Sequence, residues 1–198
     1  MQQQKLAPWG VVIATDRPMT VDDLLNLPDD GHMYELVEGQ LVRMLPSGGG
    51  ASSLALRLGA RIEAFVEQHN LGAVTGADGE FDLGHGTALA PDVAFVRAER
   101  VPPPTSPIYE KAWPLAPDLA VEVASPNQHR PAMARKAQHY LNAGTRLVWV
   151  VWPKRKEVDV WRPGDIKPSA TLSVGDVLDG LDILPGFTYP LERLFPRE

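Results

Sequence analysis

Two acidic residues stand in the middle of short apolar runs. Asp92 lies within ALAPDVAFV at residues 88–96, and Glu122 lies within DLAVEVA at residues 118–124. If each run is a β-strand, side chains alternate between its two faces. Each acid is then flanked by alanines on its own face, while bulky apolar residues fill the other. The small alanine side chains leave a hollow around each carboxylate.

Whether the two acids act together depends on the pairing of their strands. Neighbouring strands lie about 4.8 Å apart, so Asp92 and Glu122 converge if their strands are adjacent. Two ionised carboxylates that close in a half-buried site repel each other unless one keeps a proton or a divalent cation lies between them. We therefore predict a metal site. The alternative is that each acid lies at a strand end or a sheet edge, solvated and without function.

The composition restricts the kind of metal and the location of the protein. The 198 residues include no cysteine, which excludes thiolate ligands and favours Mg²⁺, Mn²⁺ or Ca²⁺ on oxygen donors over structural zinc. A chain without cysteine also agrees with a cytoplasmic location. The sequence contains no apolar run of membrane-spanning length and no signal-peptide pattern. We expect a cytoplasmic protein with no membrane contact.

The net charge bears on nucleic acid as a partner. At −6 it argues against strong constitutive binding, because affinity for phosphate comes mainly from Lys and Arg that release counterions. Carboxylates of a metal site contribute to this negative count, and a local basic patch can coexist with an acidic whole. A nucleic-acid substrate therefore stays open.

Length and local patterns predict one domain behind a short arm. Residues 1–18 show no apolar periodicity and are expected to be a flexible arm, followed by a single domain over residues 19–198. Glu35 falls on the first strand of a predicted hairpin. The expected elements are a short helix capped by Thr20 that ends before Pro28, a hairpin at 33–44 with its turn at Glu38-Gly39, a helix at 52–69, strands at 73–83, 88–96 and 118–124, a helix at 131–142, strands at 146–152, 157–161 and 171–174, and apolar cover at 181–195.

Two segments between these elements are irregular by composition. Residues 46–50, Pro-Ser-Gly-Gly-Gly, lack the Gly-Lys-Ser/Thr ending and the preceding buried strand of a phosphate-binding loop, so we expect a hinge. Residues 97–117 are rich in proline and predict a surface excursion beside the acids, suited to a rim or a dimer arm.

One lysine on the helix after Glu122 is placed to join the acids. Lys136 lies one turn before Tyr140 at the margin of the apolar stripe, from which its ammonium can reach the hollow. The alternative is that its stem covers apolar surface while its charge stays in water. Gln128 and His129 lie in the loop that follows Glu122, where a histidine is more often solvated than catalytic.

The order of motifs resembles the PD-(D/E)xK nuclease superfamily and, within it, the Uma-two family of restriction endonuclease-like proteins. The likeness covers about residues 20–195. The motifs that carry it are YELVEG at residues 34–39, PDVAFV at 91–96, PDLAVEVASP at 117–126, and then Lys136, Tyr140, Gly144 and Trp149.

The resemblance implies both a fold and an activity. The fold is a mixed α/β (α+β) restriction endonuclease-like core, in which helices flank a central mixed sheet preceded by an N-terminal β-hairpin. The implied activity is hydrolysis of DNA phosphodiester bonds, with Asp92 and Glu122 binding Mg²⁺ or Mn²⁺ and Lys136 assisting the attack of water. Glu35 matches a family acid and is a candidate for a further metal ligand. We also consider a homodimer formed through the proline-rich segment.

Two departures from the family pattern keep other functions open. Ala124 stands where the superfamily motif has its lysine, and Lys136 is the matching position on the next helix. Residues 47–53 hold glycine, alanine and serine where relatives commonly carry a histidine. The alternatives are a catalytically inactive member that serves as a binding or assembly module, and a metal-dependent hydrolase of other phosphoesters that uses the same carboxylates.

Overall fold

The computed structural model describes residues 9–195. The helices are α1 (Val21–Leu25), α2 (Gly49–His69), α3 (Arg130–Asn142) and α4 (Leu191–Leu194). The strands are β1 (Val11–Ile13), β2 (Tyr34–Val37), β3 (Gln40–Arg43), β4 (Gly72–Gly76), β5 (Phe81–Gly84), β6 (Thr87–Leu89), β7 (Val93–Arg97), β8 (Leu119–Val123), β9 (Leu147–Trp152), β10 (Glu157–Trp161), β11 (Ala170–Ser173), β12 (Val177–Asp179) and β13 (Thr188–Pro190).

A six-stranded mixed sheet forms the centre of the fold, in the order β11-β10-β9-β8-β7-β4. β8 and β9 are parallel, and the other neighbouring strands are antiparallel. α2 packs on one face of this sheet and α3 on the other. A second sheet has the order β1-β3-β2-β6-β5, and β12 pairs with β13. The expected mixed sheet with flanking helices is confirmed.

The two faces of β8 differ as the alternation of its residues predicted. Val121 and Val123 pack with α2, whereas Ala120 and the following Ala124 pack with α3. β9 is apolar along its whole length and buried on both faces, which is typical of a strand at the centre of a sheet. The small residues on the α3 side leave room for the longer polar side chains described below.

Local signals in the first half of the chain are confirmed. Thr20 caps α1 in a capping box, with its hydroxyl accepting from the Asp23 N–H and the Asp23 carboxylate accepting from the Thr20 N–H. β2 and β3 form the predicted hairpin. Its two turn residues, Glu38 and Gly39, have positive φ angles of 49° and 80°, as tight two-residue hairpin turns require.

Two predicted strands are each divided between the two larger sheets. The run at residues 88–96 leaves the five-stranded sheet after Leu89 and enters the six-stranded sheet at Val93. Pro91 lacks an N–H and cannot continue a ladder of hydrogen bonds, which explains the break. The strand expected at 73–83 divides in the same way into β4 and β5. Asp92 therefore lies at a crossing between sheets, one residue before β7, and not within a strand.

The glycine-rich segment at residues 46–50 belongs in part to α2. Gly48 is the N-cap of α2, and Gly49 and Gly50 form part of its first turn, so the helix begins three residues earlier than predicted. The apolar stripe of the following residues anchors α2 to the sheet, and this packing overrides the low helix propensity of glycine.

The predicted arm at residues 1–18 is described by the structure only from residue 9 onward. Residues 1–8 of the expected arm lie outside the described residues. Within the described part of the arm, Trp9 is buried and β1 pairs with β3. The division into an arm and one domain stays a prediction. Among the described helices, none combines the length and apolar character needed to cross a membrane.

Candidate functional site

The structure brings Asp92 and Glu122 to the same end of the central sheet. β7 and β8 are antiparallel neighbours with Val93 opposite Val121, so Asp92 lies at the carboxyl end of β8, beside Glu122. The Asp92 Oδ2 atom accepts a hydrogen bond of 2.6 Å from the N–H of Val123, the residue after Glu122. The strands are thus adjacent, which is the arrangement that convergence of the two acids required.

Lys136 lies inside this site and not at a solvated margin. Its Nζ atom is 2.9 Å from Glu35 Oε1 and 2.9 Å from Glu122 Oε1. The three residues are almost completely buried, with 2% of Lys136, 1% of Glu35 and 5% of Glu122 exposed. α3 packs on the face of the sheet that carries the Glu122 side chain, and it places Lys136 over Ala120 and Ala124. The alternative of a snorkelling lysine is wrong.

Tyr140 is a second α3 residue that contacts Glu122. Its hydroxyl donates a hydrogen bond of 2.7 Å to Glu122 Oε1. The sequence placed Tyr140 in the apolar stripe of this helix and among the motif residues of the family resemblance, without predicting a contact with Glu122. The signal for a polar role was its spacing of four residues from Lys136, which places both side chains on one face of the helix.

Glu35 reaches the site from the other sheet. Its Oε1 atom accepts from Lys136 and from the N–H of Ala90 at 3.2 Å, and its Oε2 atom accepts from Trp9 Nε1 at 2.8 Å. Both oxygens of this buried carboxylate are therefore occupied by donors from the chain. This arrangement suits a residue that holds the ammonium of Lys136 in place. Its predicted role as a metal ligand stays a prediction.

Trp9 covers the ammonium, and sequence reasoning missed it. Its ring centroid lies 5.8 Å from Lys136 Nζ, within the range of a cation–π contact. The Gln128 side chain holds the Trp9 segment by donating to the Trp9 carbonyl at 3.2 Å, while its own carbonyl accepts from the Ser125 N–H. A single tryptophan in a segment without periodicity carries no signal for such a position.

The charges of the site are unbalanced toward the negative. Burial raises the pKa of Glu122 to about 8; Lys136 opposes this shift, whereas Asp92 and Glu35 add to it. Burial also raises the pKa of Asp92. For Lys136, burial alone would lower the pKa, but Glu122 and Glu35 outweigh it and hold the pKa above its usual value. Two carboxyl groups thus contact the one ammonium and a third, that of Asp92, interacts with it electrostatically, an environment that favours a further positive charge.

A fourth acid, Glu80, lies near this cluster. Burial, followed by the charges of Glu35 and Asp82, raises its pKa to about 7. Its Oε1 atom is buried and has no hydrogen-bond partner among the described residues. Glu80 stands in the short connection between β4 and β5, where the sequence predicted an uninterrupted strand, so its approach to Glu35 was not foreseen.

Asp92 and Glu122 are the two residues that the sequence predicted as ligands of a divalent cation, and their role as ligands stays a prediction. Within residues 9–195, no three Asp, Glu or His side chains form a complete ligand cluster. Asp92 lines a cavity of about 380 Å³ beside α2, and its hydrogen bond from Val123 uses one oxygen only. Glu122 supplies a second carboxylate beside it, and the oxygens of this carboxylate contact Lys136 and Tyr140. Hard oxygen donors of this kind suit Mg²⁺ and Mn²⁺, which keep several waters and need few protein ligands.

Two further residues noted in the sequence lie at the edge of the site. Ala124, at the position of the motif lysine, packs under α3. His129 is the N-cap of α3 and makes no side-chain capping bond. It lines a neighbouring cleft together with residues at the start of α2.

The fold and site have a counterpart among solved structures. A crystal structure of a protein from Anabaena variabilis, described as "a putative nuclease belonging to DUF820", matches with a TM-score of 0.76. The match covers 90% of this chain and 98% of that chain at 22% sequence identity. The protein therefore has a restriction endonuclease-like fold.

The family follows from the sequence itself. The chain matches the Uma2 (Uma-two) family, described as "Putative restriction endonuclease", over residues 21–192, and it belongs to this family. The resemblance drawn from the motifs is confirmed. No curated protein matches the chain.

Proposed function

We propose that this protein is a nuclease that hydrolyses DNA phosphodiester bonds with the help of Mg²⁺ or Mn²⁺. Membership of the family supports a nuclease role. The observation that carries the proposal is the buried Lys136, whose ammonium is 2.9 Å from Glu122 at the end of β8 where Asp92 also lies. A buried lysine next to two acids at the end of a strand is a set of residues suited to the hydrolysis of a phosphodiester.

Asp92 and Glu122 would hold the cation in this proposal. When bound, such a cation acidifies a coordinated water and offsets charge on the phosphoryl oxygens. Tyr140 and Lys136 fix the orientation of the Glu122 carboxylate through contacts of 2.7 and 2.9 Å. Added positive charge favours the ionised form of Glu122, whose pKa burial holds at about 8 without it.

Lys136 has a separate role in the proposal. An ammonium has three N–H donors, and those of Lys136 face Glu35 and Glu122. Glu35 holds the ammonium beside Glu122, which makes it a positioning residue. A donor turned from the carboxylates toward a phosphate oxygen would stabilise the negative charge that develops there during attack by water.

The proposal is tested by DNA cleavage with matched variants. Supercoiled, linear and single-stranded DNA are incubated with the wild type in Mg²⁺ or Mn²⁺. We expect cleavage, and Glu122→Gln lowers its rate by about 100-fold or more. The control is Asp118→Asn, which changes an equally buried acid at the opposite end of the same strand, where it pairs with Arg97 and Arg100. Unchanged cleavage in Glu122→Gln would contradict the assignment.

A catalytically inactive binding module is the second candidate. The observation in its favour is the closed state of the site, where Trp9 and α3 bury Lys136 and both carboxylates that contact it. No cleavage of any DNA form with either metal would select this candidate. Hydrolysis of bis(p-nitrophenyl) phosphate without cleavage of DNA would instead select a hydrolase of other phosphoesters.

Location and assembly stay predictions. A cytoplasmic location is tested by fractionation of cells that produce the protein. A homodimer formed through residues 97–117 is tested by light scattering, with deletion of part of this segment expected to give a monomer. A monomer at all concentrations of the intact protein would contradict the dimer.

A further inference from the structure

A cleft of about 690 Å³ opens at the carboxyl ends of the parallel strands β8 and β9. Three segments line it, namely the start of α2, the loop from β8 to α3 and the turn after β9. Ala124 and Ser125 of its wall follow Glu122 by two and three residues, so the cleft begins beside the candidate active site. Crevices at the carboxyl ends of parallel strands are common places for ligand binding.

The cleft is basic although the whole protein is acidic. No Asp or Glu is among its lining residues, whereas the chain carries a net charge of −6. The basic residues that line it are Arg57, His129, Arg130, Lys154 and Arg155. This local excess of positive charge matches an anionic ligand.

Four cationic side chains of the cleft differ in whether they already have partners, and Lys154 and Arg155 are the two available to a ligand. Arg57 donates to the carbonyl of Leu194 at 2.9 Å, and Arg130 pairs with Asp159 at 2.7 Å. By contrast, Lys154 and Arg155 are exposed and their side chains have no hydrogen bond or ion pair within residues 9–195. They stand side by side in the turn after β9, at the mouth of the cleft.

The walls of the cleft are apolar. The apolar residues that form them are Ala51, Leu54, Pro126, Pro131, Trp152 and Pro153. A surface that combines apolar walls with a basic mouth suits a ligand that has a flat apolar part and a phosphate. A nucleotide has this combination, and single-stranded nucleic acid is commonly held by a basic groove with apolar or aromatic contacts to its bases.

The glycines at the start of α2 keep the cleft open. Gly48 and Gly50 line it, and a Cβ atom built at either position would meet nothing within 4 Å. Neither residue has a positive φ angle, so backbone strain does not require glycine there. A side chain at Gly50 would therefore project into free space that a ligand can use.

We propose that this cleft binds an unpaired nucleotide of the DNA strand, with its phosphate at Lys154 and Arg155 and its sugar and base against the apolar walls. The inference rests on the proposed nuclease function and deepens it, because it makes single-stranded DNA, or a duplex with an unpaired segment, the preferred substrate. The bound DNA strand would continue from the cleft past Ala124 to the carboxylates of Asp92 and Glu122 at the end of β8.

Charge reversal tests the phosphate contacts. Binding of fluorescein-labelled dT20 is measured by fluorescence anisotropy in EDTA, so that cleavage does not interfere. The double variant Lys154→Glu/Arg155→Glu is expected to bind about tenfold or more weakly and with a smaller salt dependence. The control, Arg61→Glu/Arg135→Glu, makes the same change in net charge at two exposed helix positions outside the cleft. It is expected to bind dT20 within about twofold of the wild type, because salt screens charges that lie far from the ligand.

Filling the cleft tests the contact with the base. Gly50→Leu is expected to lower affinity for dT20 by about fivefold or more, since stacking and apolar contacts to a base are lost. Gly49→Leu is the matched control, because Gly49 neighbours Gly50 in the same helical turn, has equally open space and does not line the cleft. Both changes replace glycine in a helix and should leave the Tm unchanged or raise it.

The outcomes separate this inference from the proposed function. Weaker dT20 binding in both cleft variants, with the controls unchanged and the wild type preferring dT20 over its duplex, supports the cleft even if no DNA is cleaved. Equal affinity of all variants for dT20, or a wild type that prefers duplex, overturns it even if the protein is an active nuclease.

Discussion

Removal of the buried ammonium is expected to destabilise the protein in a pH-dependent way. Lys136→Met keeps the length and apolar stem of the side chain but leaves Glu35 and Glu122 without the cation that lies 2.9 Å from both. Breaking a buried ion pair by removing one partner costs about 3–5 kcal/mol. We expect this loss in the free energy of unfolding at pH 8, where the remaining carboxyl groups are largely ionised in the unfolded chain.

The direction of the pH dependence follows from the carboxyl pKa values. Folding raises the pKa of Glu122 from its ordinary 4.5 to about 8 in the wild type. Between these values the folded state binds more protons than the unfolded state, so stability falls as the pH rises across this window. Loss of Lys136 removes the charge that opposes this shift, so it raises the pKa of Glu122 further and extends the fall to higher pH. At pH 5, where Glu122 is protonated, the cost of Lys136→Met should fall to about 1.5 kcal/mol.

Urea unfolding followed by circular dichroism at pH 5 and pH 8 measures both values. The control is Lys167→Met, which alters an exposed lysine and should change stability by less than about 0.5 kcal/mol at either pH. Addition of Glu122→Gln to Lys136→Met should recover about 2 kcal/mol at pH 8, since a neutral amide replaces a carboxyl group that must either take up a proton or be buried as an unpaired charge. A cost below about 1 kcal/mol at pH 8, or one independent of pH, would refute the reasoning.

Three further predictions concern the surroundings of the site. Tyr140→Phe removes the hydrogen bond to Glu122, which should lower the free energy of unfolding in urea by about 1.5–3 kcal/mol and raise the pH midpoint of Mn²⁺ binding. The control is Tyr189→Phe, which loses a hydrogen bond to the Arg193 carbonyl and should leave that midpoint unchanged. Trp9→Phe keeps an aromatic cover but leaves Glu35 Oε2 without its donor, and a cost of about 1–3 kcal/mol is expected; no loss of stability would contradict this role. Thr20→Ala removes the cap of α1 and should cost about 1 kcal/mol without a change in cleavage rate per folded molecule.

Much of the fold was predictable because local patterns agreed with the final packing. Thr20, the Glu38-Gly39 turn and the apolar run of β9 each indicated their element correctly. The alternation along β8 also identified which face carries Glu122. Patterns of this kind depend on side chains close in sequence, and they are therefore visible without the structure.

The errors arose where the chain changes sheets. The apolar pattern at residues 88–96 continues across Pro91, but β6 and β7 belong to different sheets. Periodicity does not distinguish one long strand from two short ones that follow each other. The proline was the available signal, because it cannot donate to a ladder.

The site was predicted in part for the same reason. Asp92, Glu122 and Lys136 fall within patterned segments, and their convergence needed only the adjacency of β7 with β8 and the placement of α3. Trp9 and Glu80 lie in segments without periodicity. Their positions depend on contacts with residues distant in sequence, such as Gln128 for Trp9 and Glu35 for Glu80.

The central claim is that Asp92 and Glu122 together hold a divalent cation beside Lys136. The most direct measurement is anomalous diffraction from crystals soaked in Mn²⁺, for the wild type and for Asp92→Asn. We predict a Mn²⁺ peak in the wild type within about 2.0–2.6 Å of oxygen atoms of both Asp92 and Glu122, and its loss in the variant. A Mn²⁺ peak found only elsewhere, or one of equal occupancy at this place in Asp92→Asn, would contradict the claim.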